Sequence, residues 1–324
     1  MSNNVLVTGG AGYIGSHVCR HLAIKGYNPI TLDNLITGHE SAVRWGPLAE
    51  VNVNYTEQVQ NVLDHYKPHT VYHLAGLSEV AQAQLYPDDY MTANAGGTFS
   101  LCLAMQRTNI RRLVFASTSA VYGALATPAD EQIHPQPTEV YGTSKLSAET
   151  IIRSFCRYHG FTGVALRFFN VAGAARSADI GEDHNPETHL IPLLIKAALL
   201  GEEFNLYGDD YETLDGTCVR DFVHVNDIAR AHELAGIFTK THKGFTAVNL
   251  GTRNGYSVKT CITEVENITG RKIKVNVQRR RPGDVASRIS CNEKAKLLLG
   301  WQPREDIRSM IHSAYEWHTS KTRV

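Results

Sequence analysis

The chain has 324 residues and a formal charge of zero, because Lys plus Arg and Asp plus Glu each number 32. A neutral chain without a basic run gives no reason to expect nucleic acid or an anionic membrane as a partner. The length suits two domains, or one large α/β domain with an appendage. The 6 cysteines lack C-x-x-C spacing and have no His pair nearby, so they indicate idle thiols in a reducing compartment, and we expect neither a disulfide framework nor a metal site.

Targeting and membrane signals are not apparent. The N-terminus enters a predicted core strand almost at once, which leaves no room for a signal peptide. The most apolar stretch, residues 190–200, contains Lys196 and falls far short of a bilayer span. We therefore expect a soluble cytosolic protein.

The first predicted strand, residues 5–8, leads into a glycine-rich turn, Gly9-Gly10-Ala11-Gly12-Tyr13-Ile14-Gly15, and then into a helix over residues 16–25. Glycines at this spacing let the backbone turn tightly and approach a pyrophosphate without a Cβ in the way. The free amides at the start of the helix then meet that negative charge. The pattern predicts a bound dinucleotide.

The second predicted strand, residues 30–33, ends in a carboxylate about twenty residues beyond the glycine turn, as dinucleotide sites require. Asp33 can accept hydrogen bonds from both ribose hydroxyls of the adenosine and would repel a 2′-phosphate. No arginine follows at Asn34 or Leu35 to offset that repulsion. The predicted cofactor is therefore NAD rather than NADP.

Short apolar runs continue to alternate with helical patterns through the first half of the chain. The further predicted strands are residues 50–53, 70–75, 112–117 and 163–169, and the helices are residues 56–65, 88–107 and 141–159. Alternation of this kind, with near-continuous apolar strands, is typical of a Rossmann-like doubly wound parallel sheet.

The alternation stops after Asn170. Residues 174–188 are polar and loop-like, and mixed short elements follow up to a last helix at residues 306–317. We predict a Rossmann NAD-binding domain over residues 1–172 and a smaller mixed α/β substrate-binding domain over residues 173–324, some of whose segments return to the first. The substrate should bind in the crevice between them, at the carboxyl ends of the strands.

Tyr141 and Lys145 lie four residues apart, on one face of a predicted helix. A phenol with a pKa near 10 is a poor base at neutral pH, but an adjacent ammonium and a positive nicotinamide both favour the phenolate. Thr118 follows the fifth strand, at the mouth of the same crevice. Its hydroxyl could hydrogen-bond a substrate oxygen that is losing its proton.

Several motifs together resemble the extended short-chain dehydrogenase/reductase family, and within it the sugar-nucleotide 4-epimerases. They are the glycine turn, Ala75-Gly76-Leu77, Asn94 before Gly97-Thr98, Tyr141-x-x-x-Lys145, Arg167-Phe168-Phe169-Asn170, Gly216-Thr217-Cys218-Val219-Arg220-Asp221 and Arg281-Pro282-Gly283-Asp284. The resemblance spans residues 4–318. It implies a tightly held NAD that takes a hydride from sugar C4 and returns it to the other face of a 4-keto sugar, most simply interconverting UDP-glucose and UDP-galactose. It also implies a homodimer through the helices at residues 88–107 and 141–159.

The same resemblance implies the residues of each site. The catalytic set is Thr118, Tyr141 and Lys145. The cofactor set is Gly9, Gly12, Tyr13, Ile14, Gly15, Asp33, Asn34, Asn52, Val53, Leu74, Ala75, Gly76, Asn94, Ser117, Tyr141, Lys145, Phe168 and Phe169. The UDP-sugar set is Ser78, Thr118, Tyr141, Asn170, His189, Leu190, Asn205, Tyr207, Arg220, Arg281, Asp284 and Arg288. Two arginines suit a diphosphate, and Asp284 suits a ribose diol.

Four positions depart from the family pattern. Asn52 stands where relatives usually carry an Asp that binds the adenine amine, and Ser78 stands where some place a Lys near the cofactor phosphates. Thr143 replaces a common Lys without an expected consequence. Arg288 falls where relatives have the residue that gates the sugar pocket. A long cation there could shrink the pocket, favour an acidic sugar or point to solvent.

The alternatives on this fold differ in their acid and base groups. A sugar-nucleotide 4,6-dehydratase needs an Asp-Glu pair after Thr118, where Ser119 and Ala120 stand, and a UDP-glucuronate decarboxylase needs Glu in place of Ala120. UDP-glucuronate and UDP-N-acetylhexosamine 4-epimerases remain open, because their chemistry uses the same Tyr and Thr. A non-catalytic NAD sensor is the remaining alternative, against which the intact Tyr141 and Lys145 argue.

Overall fold

The structure is a computed structural model that describes residues 3–124, 128–281 and 284–321. Pro282 and Gly283 of the last motif lie outside the described residues. The strands are β1 (Asn4–Thr8), β2 (Asn28–Asp33), β3 (Leu48–Glu50), β4 (Thr70–His73), β5 (Arg112–Thr118), β6 (Thr162–Phe168), β7 (Asn170–Ala172), β8 (Glu203–Tyr207), β9 (Val219–His224), β10 (Gly244–Leu250), β11 (Gly255–Ser257), β12 (Lys274–Gln278) and β13 (Ser287–Arg288).

The helices lie between these strands. They are α1 (Tyr13–Ile24), α2 (Thr56–Tyr66), α3 (Val80–Leu85), α4 (Pro87–Tyr90), α5 (Gly97–Arg107), α6 (Val140–His159), α7 (Leu190–Leu200), α8 (Val225–Phe238), α9 (Val258–Thr269), α10 (Glu293–Leu299) and α11 (Ile307–Lys321). None of the helices in the described part of the chain combines the length and apolarity needed to cross a bilayer.

The predicted fold class is confirmed by a parallel sheet of seven strands in the order β10-β6-β5-β4-β1-β2-β3. Apolar side chains of α2, α5 and α6 pack on one face, and those of α1, α8 and α10 pack on the other. Such burial on both faces explains why the strands are nearly continuous apolar runs.

The second half of the chain builds smaller sheets beside the carboxyl ends of these strands. β9 pairs with β7, β11 and β13, while β8 and β12 form a parallel pair. A separate apolar core forms where α7, α9 and α11 meet. Three segments of this half, β10, α8 and α10, pack with the first sheet. The domain boundary at residue 172 stays a prediction.

Several predicted boundaries differ from the structure for local reasons. The third strand was expected at residues 50–53 but is β3, because Asn52 accepts a hydrogen bond from the Asn54 amide at 3.0 Å and starts a turn there. The helix expected at residues 88–107 is interrupted by a π-helical turn at Met91–Gly96, a local widening common at functional sites. The helix expected from residue 16 starts at Tyr13, inside the glycine turn.

Candidate active site

The glycine turn brings the start of α1 against the loop that follows β4. Gly9 has a φ of +71°, and a Cβ there would lie 2.6 Å from the Ala75 amide nitrogen. A Cβ on Gly15 would lie 1.9 Å from the Gly9 carbonyl oxygen. The N-terminus of α1 has no side-chain cap, so its amides are available to an anion. This cradle fits a dinucleotide pyrophosphate.

The Asp33 carboxylate joins the glycine turn to the end of β2. Its Oδ2 accepts a hydrogen bond from the Ala11 amide at 3.0 Å, and its Oδ1 accepts one from the Leu35 amide at 2.9 Å. Each oxygen keeps a second lone pair for a ribose hydroxyl. The geometry fits the diol of an adenosine ribose. The neighbouring Asn34 accepts a hydrogen bond from the Ile36 amide at 3.3 Å.

Asn94, in the π-helical turn, fastens the loop after β4 to α6. Its Oδ1 accepts a hydrogen bond from the Leu77 amide at 2.9 Å, and its Nδ2 donates to the Leu77 carbonyl at 3.1 Å and to Ser144 Oγ at 2.9 Å. Leu74 and Ile14 pack at the edge of the apolar core behind the turn, and Val53 is buried in the core on the other face. The glycine turn, Asp33 and Asn94 therefore lie along one edge of the sheet, whereas Val53 is a core residue.

Thr118 and Tyr141 are both buried where β5 ends beside the start of α6. Burial raises the pKa of Tyr141 to about 12, although a hydrogen bond with Thr118 lowers that pKa in part. Thr118 Oγ1 also accepts a hydrogen bond from the Ala120 amide at 3.1 Å. A phenol and a hydroxyl thus face the same edge of the sheet as the glycine turn.

Lys145 corrects one expectation from the sequence. Its Nζ donates a hydrogen bond to the Ala116 carbonyl at 3.1 Å and lies 5.0 Å from the centre of the Phe115 ring. Burial lowers the pKa of Lys145 to about 8. Burial dominates the pKa of Tyr141 and raises it, so the predicted lowering of that pKa by Lys145 is absent here. The ammonium instead finds its acceptor on β5.

Ser117 leads to a buried network that sequence reasoning missed. Glu149 is buried beside it and accepts hydrogen bonds from Ser117 Oγ at 2.6 Å, Arg167 Nε at 2.9 Å and Arg167 Nη2 at 2.6 Å. The signal was available, because Glu149 continues the four-residue spacing of Tyr141 and Lys145 along α6. Through these hydrogen bonds, Glu149 connects α6 to the ends of β5 and β6.

The predicted aromatic residues take different positions beyond β6. Phe169 is buried against Val121, Tyr122 and Ala129. Phe168 packs at the edge of the core beneath the other face of the sheet. Asn170 is exposed at the start of β7.

Several of the residues predicted to bind UDP collect around β9 and the segment before β13. Arg220 donates hydrogen bonds to Asp284 Oδ1 at 3.2 Å and to the Val285 carbonyl at 2.9 Å. The Arg281 guanidinium carbon lies 3.8 Å from the centre of the Tyr207 ring. These contacts orient two cations at one face of the smaller domain. Arg288 pairs in register with Arg220, across β13 and β9.

Four predicted substrate residues lie apart from that group. Asn205 is on β8, where it accepts a hydrogen bond from Asn276 at 3.3 Å. Ser78 is exposed in the loop after β4. His189 precedes α7 and directs its Nδ1 toward Glu182, 2.7 Å away, while Leu190 packs against the core of the second half.

Comparisons with known proteins agree with this geometry. Residues 5–251 match the NAD dependent epimerase/dehydratase family. The chain is 40% identical over 324 residues to a UDP-glucose 4-epimerase of Rhizobium meliloti (strain 1021), covering 99% of both chains. It superimposes on the UDP-glucose 4-epimerase from Brucella ovis in complex with NAD with a TM-score of 0.94 and 40% identity, covering 97% of this chain and 98% of that one. For the enzyme from Bifidobacterium longum in complex with NAD+ and UDP, the TM-score is 0.93 and the identity 34%, over 98% and 99% of the two chains.

Proposed function

The chain belongs to the NAD dependent epimerase/dehydratase family, and we propose that it is an NAD-dependent UDP-sugar 4-epimerase that interconverts UDP-glucose and UDP-galactose. The observation that carries this function is the buried pair of Tyr141 and Thr118, which faces the sheet edge that also carries the glycine turn. Acid–base groups at the cofactor edge are what oxidation and reduction of a sugar carbon require.

The cofactor is NAD, as the fit of Asp33 and the glycine turn supports. Bound NAD supplies a hydride acceptor for sugar C4 and afterwards a hydride donor to the same carbon. Tyr141 takes the proton of the 4-hydroxyl and later returns it. Between these two proton transfers, Thr118 hydrogen-bonds the oxygen on sugar C4. The Lys145 ammonium binds the Ala116 carbonyl of β5 and so fixes α6, which carries Tyr141, against the end of that strand.

The smaller domain holds the nucleotide during this cycle. Arg220 and Arg281 bind the diphosphate in fork geometry, and Asp284 binds the uridine ribose. Tight binding of the UDP moiety leaves the sugar free to present either face of its 4-keto form to the cofactor. Because the hydride returns to the sugar, the reaction consumes no external oxidant.

The test is incubation of the purified protein with a panel of UDP-sugars without added cofactor, followed by product analysis. We expect UDP-galactose and UDP-glucose to equilibrate. Activity that depends on a continuous supply of NADP, or bound NAD without turnover of any UDP-sugar, would contradict the proposed function. The second of these outcomes would favour an NAD sensor.

A second candidate substrate class is suggested by Arg288. Its Nη2 donates to the Gly123 carbonyl at 3.4 Å, whereas its Nε is buried without a hydrogen-bond partner among the described residues. Burial and the nearby Arg220 lower the pKa of Arg288. Gly123 follows the end of β5, so the guanidinium approaches the catalytic edge. A carboxylate at C6 of the sugar, as in UDP-glucuronate, would satisfy such a cation.

Replacing Arg288 with alanine should separate these substrates. We expect kcat/KM to rise at least about tenfold for UDP-N-acetylgalactosamine relative to UDP-galactose, because space opens, and to fall for UDP-glucuronate, because its partner is lost. Arg288→Lys is the control, because it keeps the positive charge but loses the planar guanidinium that can donate two parallel hydrogen bonds. Equal changes for all three substrates would show that Arg288 does not face the sugar.

We propose further that the enzyme is a homodimer through the helices at residues 88–107 and 141–159. Apolar side chains are exposed along this surface, including Phe99 on α5 and Tyr158 on α6.

The six cysteines are free thiols, which suits our prediction of a cytoplasmic location.

The variant Phe99→Glu should convert the dimer to a monomer, because it places a charge in an apolar interface. Sedimentation velocity measures the change. Leu297→Glu on α10 is the control, since Leu297 is also exposed but lies outside the proposed interface. A wild-type monomer, or a Phe99→Glu dimer of unchanged stability, would contradict the proposed interface.

A further inference from the structure

Four metal-ligating side chains converge in the segment between β7 and α7. Nδ1 of His189 lies 2.7 Å from Glu182 Oε1 and 3.5 Å from Glu187 Oε1. Nδ1 of His184 lies 3.3 Å and 3.9 Å from the same two oxygens. All four candidate ligand atoms lie within 4.8 Å of one another. Both imidazoles therefore direct the same ring nitrogen toward the same pair of carboxylates.

The nitrogen–oxygen separations can be compared with those around a tetrahedral ion. Zinc binds imidazole nitrogen and carboxylate oxygen at roughly 2.0–2.2 Å, which places neighbouring ligands of a tetrahedron about 3.4 Å apart. The four measured nitrogen–oxygen separations, from 2.7 to 3.9 Å, bracket that distance. Both Nδ1 atoms are buried and, among the described residues, neither has a hydrogen bond of good geometry, although both are close enough to Glu182 to pair with its carboxylate. Both nitrogens lie nearest to Glu182 Oε1 and farther from Glu187 Oε1.

Contacts behind the ligands hold the carboxylates in place. Oε1 of Glu187 accepts hydrogen bonds from the amides of Thr188 and His189, both at 2.8 Å. The main-chain carbonyl of Glu182 accepts a hydrogen bond from Trp317 Nε1 at 2.8 Å, and the Glu182 side chain is buried. Orientation of ligands by outer hydrogen bonds is typical of protein metal sites.

We propose that Glu182, His184, Glu187 and His189 bind one divalent transition-metal ion, preferentially Zn²⁺. Two imidazoles and two carboxylates form a nitrogen–oxygen set that suits zinc and its neighbours, whereas Mg²⁺ and Ca²⁺ prefer oxygen ligands alone. The two carboxylate charges balance the ion when both imidazoles are neutral. This proposal replaces the expectation of no metal site, which considered only the cysteines.

The position of the cluster points to a structural role. The His184 ring packs edge-on against Tyr13 of the glycine turn, with ring centres 6.4 Å apart. His189 immediately precedes α7, and Thr188 hydrogen-bonds Glu79 of the loop after β4 at 2.5 Å. An ion in the cluster would therefore fasten the start of α7 to the cofactor side of the molecule. The proposal does not depend on the proposed enzymatic function.

The experiment uses full-length protein without a histidine tag, stripped with a chelator and titrated with Zn²⁺ or Mg²⁺ in a calorimeter. We expect one Zn²⁺ per chain, no comparable binding of Mg²⁺, and a rise in Tm of several degrees on adding Zn²⁺. Co²⁺ should give the visible absorption of a four-coordinate site. Absence of stoichiometric Zn²⁺ binding would overturn the proposal and leave the cluster as two protonated imidazoles paired with carboxylates.

Variants identify the ligands. His184→Ala should weaken Zn²⁺ binding at least 100-fold, by analogy with the roughly 10–100-fold that loss of an outer partner alone costs. His312→Ala, which removes an exposed histidine beside Glu316 on α11, is the matched control and should bind as the wild type does. Glu187→Gln serves if His184→Ala fails to fold. Zn²⁺ affinity equal to wild type in either folded ligand variant would place the ion elsewhere and overturn the proposal.

Discussion

Replacing Tyr141 with phenylalanine is expected to lower kcat by roughly 10²–10⁴-fold while UDP-sugar affinity stays nearly unchanged. The substitution removes the phenolic oxygen that exchanges a proton with the 4-hydroxyl, yet keeps the ring that packs with Ala83, Tyr90 and Ala120. Initial rates of UDP-galactose conversion give kcat, and calorimetry with UDP-glucose gives the Kd.

Tyr90→Phe is the matched control, because Tyr90 is a buried phenol in the same apolar cluster. That variant should keep most of the wild-type rate. A Tyr141→Phe enzyme with more than about a tenth of the wild-type rate would mean that another residue is the base. Loss of UDP-glucose binding together with the rate would indicate a disturbed pocket instead.

The largest effect on stability is expected for Glu149→Leu. Glu149 is 0% exposed, and its loss leaves the Arg167 guanidinium buried with the Tyr122 hydroxyl, at 2.9 Å, as its one side-chain partner among the described residues. Removing one member of a buried ion pair costs about 3–5 kcal/mol of unfolding free energy. Urea unfolding followed by circular dichroism measures this change.

Two further variants make that result specific to the ion pair. Glu202→Leu, which removes an exposed partner of Lys196, should change the unfolding free energy by less than about 1 kcal/mol. The double variant Glu149→Leu/Arg167→Met should recover much of the lost stability, because no charge remains buried. Equal effects of Glu149→Leu and Glu202→Leu would show that the buried pair contributes little.

The parallel sheet was predictable because strands that are buried on both faces have nearly continuous apolar sequences. The cofactor site was predictable because the glycine turn and Asp33 lie within the first β-α-β unit. The sequence did not place β10 at the edge of the same sheet. Its neighbour β6 is distant in the chain, and local periodicity carries no information about such pairings.

Side-chain direction was the second limit of sequence reasoning. The spacing of Tyr141 and Lys145 correctly predicts one helix face, but only the structure shows that the Lys145 ammonium binds the Ala116 carbonyl of β5. The cluster around His184 and His189 was missed for a related reason. It lies in a segment without helix or strand, where no periodic pattern indicates which residues converge.

The central claim is that the hydride removed from sugar C4 returns to the same carbon, and a labelling experiment tests it most directly. The purified enzyme is incubated with UDP-galactose carrying deuterium at C4, in ordinary water and without added cofactor, and the UDP-glucose formed is examined by mass spectrometry and proton NMR. A hydride cycle confined to the active site predicts that the deuterium is retained at C4 of the product. Replacement of the deuterium by solvent hydrogen at C4, or the absence of any UDP-glucose, would contradict the proposed function.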